Sequence, residues 1–188
     1  MKRNLALFLT SLLGACEFLT GQATRVWSEE VALDDGRVIT IDRHVEFEES
    51  DSITREAYSS IESRSTLSFR GDLSSIPTWD VPLIPLVLYR DEDTSAWVIV
   101  ATTRHCDVWR TRGKPSPLYW EFRSNDGAWT ETPLSQSSFG RKTNLFMMYE
   151  RKLRSSFFTL ALKAALQSNG DIMRRLLEIQ GAGTHNCT

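Results

Sequence analysis

Histidine, cysteine and long apolar runs are all scarce in this chain of 188 residues, and each scarcity excludes something. Its three histidines, His44, His105 and His185, have no metal-binding helical spacing, and no His-Glu-x-x-His stretch occurs. Gly-x-Ser-x-Gly, Ser-x-x-Lys and a glycine-rich phosphate loop are all missing, which removes the common signatures of acyl and phosphoryl transfer. No catalytic residue, cofactor or metal ligand is assigned on this basis. Beyond the N-terminus no stretch is long and apolar enough to span a bilayer; the densest, residues 81–89, is short and carries two prolines. Neither sign of charge dominates. With 22 Lys and Arg against 24 Asp and Glu, the chain lacks the basic footprint that nucleic acid binding requires. Asp91-Glu92-Asp93 lacks the alternating oxygen ligands of a calcium loop and reads as a solvated hairpin tip.

What is present begins at the first residues. Lys2 and Arg3 precede a largely apolar stretch, residues 5–13, which has the length of a signal-peptide core. It ends Leu13-Gly14-Ala15-Cys16, which resembles the bacterial lipobox: a Leu, two small residues, then the cysteine that takes the lipid and becomes the mature N-terminus. The resemblance implies a signal peptide over residues 1–15, lipidation of Cys16, and a lipidated tether over residues 16–24. The chain is then held to a membrane by acyl chains, and two or three chains anchor stably where one does not. Glu17, rather than Asp, after the cysteine tilts the expected location from the inner to the outer membrane. The expected home is the bacterial cell envelope, facing the periplasm.

Cleavage before Cys16 leaves 188 − 15 = 173 residues, enough for a single domain with a proper core. Loss of Lys2 and Arg3 lowers the basic count from 22 to 20 against 24 acids, a formal −4. Cys106 and Cys187 remain, and an even pair in an oxidising compartment suggests one disulfide between them. Closing a loop of 187 − 106 = 81 residues would stabilise by about 4 kcal/mol in the chain-entropy model.

Residues 25–33 and 37–47 alternate around Asp34-Asp35-Gly36, a turn signal, and so predict a hairpin. Residues 48–63 are polar and acidic and read as a long loop. Residues 66–70 and 86–89 read as short strands, whereas the three prolines within residues 76–85 argue against a regular central strand there. Residues 97–103 form a β-branched run suited to a strand covered on both faces. Residues 118–123 and 128–132 flank Asn125-Asp126-Gly127, a second hairpin signature. After this the period changes. Leu145, Tyr149, Leu153, Phe157, Leu160, Ala161 and Ala164 share one helical stripe, which predicts one or two amphipathic helices within residues 144–168. Asp171 can cap a shorter helix over residues 172–180, ended by Gly181. The expected fold class is α+β: an antiparallel β-rich sheet or sandwich over residues 25–134, then helices over residues 144–180 covering one sheet face. Residues 25–188 form one domain.

Two blocks resemble a group of uncharacterised proteobacterial exported proteins. One is Trp27-Ser28-Glu29-Glu30-Val31-Ala32-Leu33-Asp34-Asp35-Gly36-Arg37. The other runs from Trp97 to Cys106 and on through Gly113-Lys114-Pro115-Ser116-Pro117-Leu118-Tyr119, Phe122 and Trp129. Lys114 and Leu118 depart from the Arg and Pro common in that group. The blocks span about a third of the chain. The resemblance implies export and a partner for Cys106, and it carries no activity.

Six tryptophans are generous for this length. Trp27, Trp97, Trp120 and Trp129 lie on expected strands and are assigned to the core. Trp79 sits among prolines, and Trp109 sits in a basic loop with Arg104, Arg110, Arg112 and Lys114. Trp79, Trp109, Arg110 and Arg112 are therefore the candidate interaction surface, because exposed aromatics beside charge compose binding hot spots. The leading expectation is a membrane-anchored, non-enzymatic module that binds another envelope or secreted protein. The alternatives are a periplasmic hydrolase using carboxylates that sequence cannot locate, and a small-molecule carrier with an apolar cavity.

Overall fold

A computed structural model describes residues 23–49, 60–147, 155–167 and 178–180. The described chain is mostly β-sheet, 46% strand against 15% helix. Strands β1 (Ala23–Ala32), β2 (Val38–Glu49), β3 (Ser60–Phe69), β4 (Trp79–Val81) and β9 (Phe157–Phe158) make one sheet, in the order β4-β3-β2-β1-β9. Strands β5 (Ile84–Arg90), β6 (Trp97–Thr102), β7 (Trp120–Asn125) and β8 (Ala128–Thr132) make the other, in chain order. All neighbouring pairs are antiparallel except β1 with β9. Helix α1 (Cys106–Thr111) follows β6, and α2 (Leu160–Gln167) follows β9.

Local chemistry explains the turns. In the β1–β2 connection Gly36 takes φ 83°, and the Asp35 carboxylate accepts from the Arg37 backbone N–H at 3.0 Å. Asp126 and Gly127 both adopt positive φ, 48° and 79°, as a two-residue hairpin between twisted strands demands. Pro85 has no N–H to give to the ladder, and the β5–β6 register shifts there, between Pro85 and Val87.

The two sheets pack face to face over one core. Val31, Ile41, Leu67 and Trp79 from the first meet Leu88, Ile99, Trp120 and Phe122 from the second. Every residue of β6 is buried. Trp97, Ile99 and Ala101 face this core, while Val98 and Val100 face a second cluster on the far side of the sheet, with Tyr89, Met147 and Ile179. A third cluster joins Trp27, Val45 and Phe47 of the first sheet to Phe146 and Phe158, with Leu162 and Leu166 of α2 against it.

Several expectations are corrected. Strand β3 starts at Ser60, not near 66, and β2 runs to Glu49, so strand replaces both ends of the expected polar loop; residues 50–59 lie outside the described residues. Residues 144–147 are not helical. Leu145, Phe146 and Met147 enter the first, third and second clusters respectively. The backbone N–H groups here are taken by other elements, those of Asn144 and Leu145 by the Leu86 carbonyl and that of Phe146 by Glu29, and these tertiary bonds override the helical stripe. Phe157 belongs to a strand, and only α2 remains of the helix expected over residues 144–168 among the described residues. Residues 178–180 are extended, with Glu178 bridged to Lys142. Residues 148–154 and 171–177, on which the other helical expectations fall, lie outside the described residues.

Candidate functional site

The inner face of the first sheet carries an unusual row. Along β1 the side chains Trp27, Glu29 and Val31 share that face, and along β2 so do Ile41, Arg43 and Val45. Alternation therefore drives Glu29 and Arg43 inward, where both are completely buried. Arg43 donates to Glu29 Oε1 at 3.1 Å, to Glu62 Oε1 at 2.9 Å, to Ser65 Oγ at 3.4 Å and to the Phe146 carbonyl at 3.3 Å. Ser65 in turn donates to Glu62. Glu29 Oε2 accepts from the Phe146 N–H at 2.8 Å and from Lys163 Nζ at 2.7 Å. Two acids and two bases thus form a charge-balanced seam between two apolar clusters of the same sheet face.

Burial penalises charge on this seam. It pushes the Glu62 carboxyl above its ordinary range, against the pull of Arg43 and the Ser65 hydroxyl. It also pulls the Lys163 ammonium down, against the attraction of Glu29. The guanidinium of Arg43 lies over the Trp27 ring, 5.1 Å from its centroid. Replacing Arg43 would leave Glu29 and Glu62 dry without the cation they share, a cost of about 3–5 kcal/mol.

A second polar cluster lies on the far side of the other sheet. Buried Glu121 accepts from the Ser135 hydroxyl and the Ser138 hydroxyl at 2.7 Å each, from the Ser135 N–H at 2.9 Å, and from Arg123 at 2.8 Å. Burial raises its pKa, but these donors outweigh that and hold the carboxyl below its usual value. Arg123 continues to Asp91 at 2.7 Å. Asp91 also caps the backbone of the β5–β6 turn, and those hydrogen bonds, with Arg123, lower its pKa to about 2.

Between the β1–β2 and β5–β6 turns lies a pocket of about 280 Å³, lined by Asp34, Asp35, Arg90, Asp91 and Glu92 among others. Three of its acids are engaged by arginines: Asp34 with Arg141, Asp35 with Arg37, and Asp91 with Arg123. Among the described residues no group of three His, Cys, Asp or Glu has the arrangement of a metal site.

The residues proposed from sequence as an interaction surface are dispersed by the fold. Trp79 is 0% exposed in the main core, edge-on to Phe122 at 5.5 Å. It is therefore not a surface aromatic; Pro77 and Pro82 flank a short edge strand that turns the indole inward. Trp109 is half-buried against the same core, and its Nε1 donates to the Pro115 carbonyl at 3.2 Å. Arg112 pairs with Glu131 of β8 at 2.6 Å, and Arg110 is exposed. Cys106 opens α1, directly after His105 at its N-cap, and its sulfur is engaged. Cys16 and Cys187 lie outside the described residues, as does His185.

Glu29, Arg43, Glu62, Lys163 and Glu121 were not singled out from sequence. The signal that could have found the first two is a charged residue at an inward position of an otherwise apolar alternation. No family model, curated protein or solved structure matches the chain.

Proposed function

We propose that this chain is a lipid-anchored lipoprotein of the bacterial envelope whose sandwich acts as a non-enzymatic interaction module. The order of Lys2-Arg3, apolar core and Leu13-Gly14-Ala15-Cys16 supports the anchor. The observation that carries the non-enzymatic reading is how the buried carboxylates are used. Glu29 and Glu121 each have both oxygens engaged by cations, hydroxyls or backbone N–H groups, and Glu62 is held by Arg43 and Ser65. A hydrolase acid or base must reach substrate, and these three are at most 5% exposed. The carrier reading has less support, because the apolar clusters are filled by their own aromatic and aliphatic side chains.

Cys106 pairs with Cys187 in this reading. Gln180 follows Ile179, which shares an apolar cluster with Tyr119. Residue 187 is 187 − 180 = 7 residues further on, a reach of up to about 25 Å. Cys106 is four residues past Thr102, which bonds the Leu118 carbonyl next to Tyr119. Helix α2 serves as a cover on the first sheet in this reading, through Leu162 and Leu166, and the resemblance of the two sequence blocks supports membership among exported proteobacterial proteins.

The test is in-cell crosslinking followed by mass spectrometry, with Cys16→Ser as control. The expected result is enrichment of at least one envelope or secreted protein with the anchored form, and acyl mass on Cys16. An unmodified Cys16 in native material would remove the anchor, and equal recovery from both forms would remove the tethered module.

A further inference from the structure

We infer that residues 155–167, strand β9 with helix α2, form a strap that opens as a local unit while the two-sheet body stays folded, and that Lys163 is its latch. Cluster membership is the first ground. The core between the sheets and the cluster beyond β6 contain no residue of this segment; only the third cluster does, through Phe158, Leu162 and Leu166. Its main-chain connection to the body is the second. Strand β9 pairs with β1 at just Ser28–Phe157 and Glu29–Phe158, and the Ser28 N–H reaches the Ser156 carbonyl at 2.9 Å. Leu160 adds a backbone N–H to Glu30 Oε2 at 2.8 Å.

Against so short a ladder, one side chain concentrates much of the hold. Lys163 Nζ donates across the boundary to Glu29 Oε2 at 2.7 Å, to the Glu30 carbonyl at 2.7 Å and to the Asn144 carbonyl at 2.6 Å. The charged groups facing it are Glu29 and Glu30 from β1 and Arg43 from β2, which Glu62 from β3 pairs in turn. When the strap lifts, Lys163 regains water, and Glu29 keeps Arg43 and the Phe146 N–H. The body is therefore not left with an unpartnered buried carboxylate, which is the physical reason it survives opening. Burial already disfavours the Lys163 charge, so hydration works toward release. Opening uncovers Trp27, whose ring is held edge-on to Phe158 at 6.0 Å, together with Val45, Phe47 and Phe146.

Native-state hydrogen exchange on the full chain decides this, because local opening and global unfolding differ in rate and in denaturant dependence. Amides of residues 157–166 are expected to exchange at least tenfold faster than those of β6, with little dependence on low urea. Lys163→Ala is expected to speed the strap a further tenfold or more and leave β6 unchanged. Equal exchange of strap and β6 in the wild type, with the same urea dependence, would overturn the inference. So would a Lys163→Ala chain that accelerates both alike or fails to fold, since the body would then depend on the latch.

Discussion

The two sheets bury their inner residues by opposite means. The β5–β8 sheet does it with hydrocarbon on the face that meets the other sheet and around β6, which is buried on both faces, and keeps its buried Glu121 on the far face. The β1–β4 sheet keeps one face wet, and on its dry face places Glu29, Arg43 and Glu62 between two apolar patches. The lesson concerns tolerance. An apolar core loses stability roughly in proportion to the volume removed. A charged seam fails when the member shared by the others is lost, as Arg43 is shared by Glu29 and Glu62, yet survives replacement of the set by well-packed apolar residues.

Substitutions rank the two sheets directly. Arg43→Met should cause the largest loss, about 3–5 kcal/mol in chemical denaturation, because Glu29 and Glu62 would remain buried without their cation. The fourfold change Arg43→Met, Glu29→Met, Glu62→Leu, Lys163→Met, which leaves no seam charge unpaired, should recover most of it; failure to recover would mean that the seam is required for more than charge balance. Ile99→Ala in β6 should cost about 2–5 kcal/mol through the cavity it leaves, and a second small-to-large change in the same core should restore part of it.

Acid separates the sheets more gently. Asp91 has a folded pKa lowered to about 2 from 3.8, so its contribution is present above 3.8 and is lost as pH falls toward 2. That contribution should be about 1 kcal/mol, and Asp91→Asn should flatten this part of the stability profile. Glu62 has the opposite sign: its raised pKa favours the protonated fold, so its effect opposes acid denaturation. The smallest change is expected on the wet face. Val26 is 69% exposed, and Val26→Ser should stay within about 0.5 kcal/mol of the parent in thermal melts.

How far sequence could see differs along the chain. Asp34-Asp35-Gly36 and Asn125-Asp126-Gly127 announced their hairpins because positive φ has few willing residues. Residues 97–103 announced a doubly covered strand because a β-branched run has few other homes. The helical stripe held at Leu160, Ala161 and Ala164, which lie on α2, and misled at Leu145 and Phe157, because apolar spacing records that side chains are buried without recording into how many cores. Trp79 misled likewise: neighbouring prolines suggested a surface loop, but the indole of this short edge strand fills the space beside Phe122.

Local steric preference and alternation were enough to settle the turns, the β-rich class and the strand covered on both faces, since these depend on a few adjacent residues. The seam, the convergence of Leu145, Phe146 and Met147 on three clusters, and the tie from Lys163 to Glu29 were decided only by the tertiary structure. Glu29 and Lys163 are 134 positions apart, and whether such groups are stranded or paired depends on which strands lie side by side. No periodicity within a single segment contains that information.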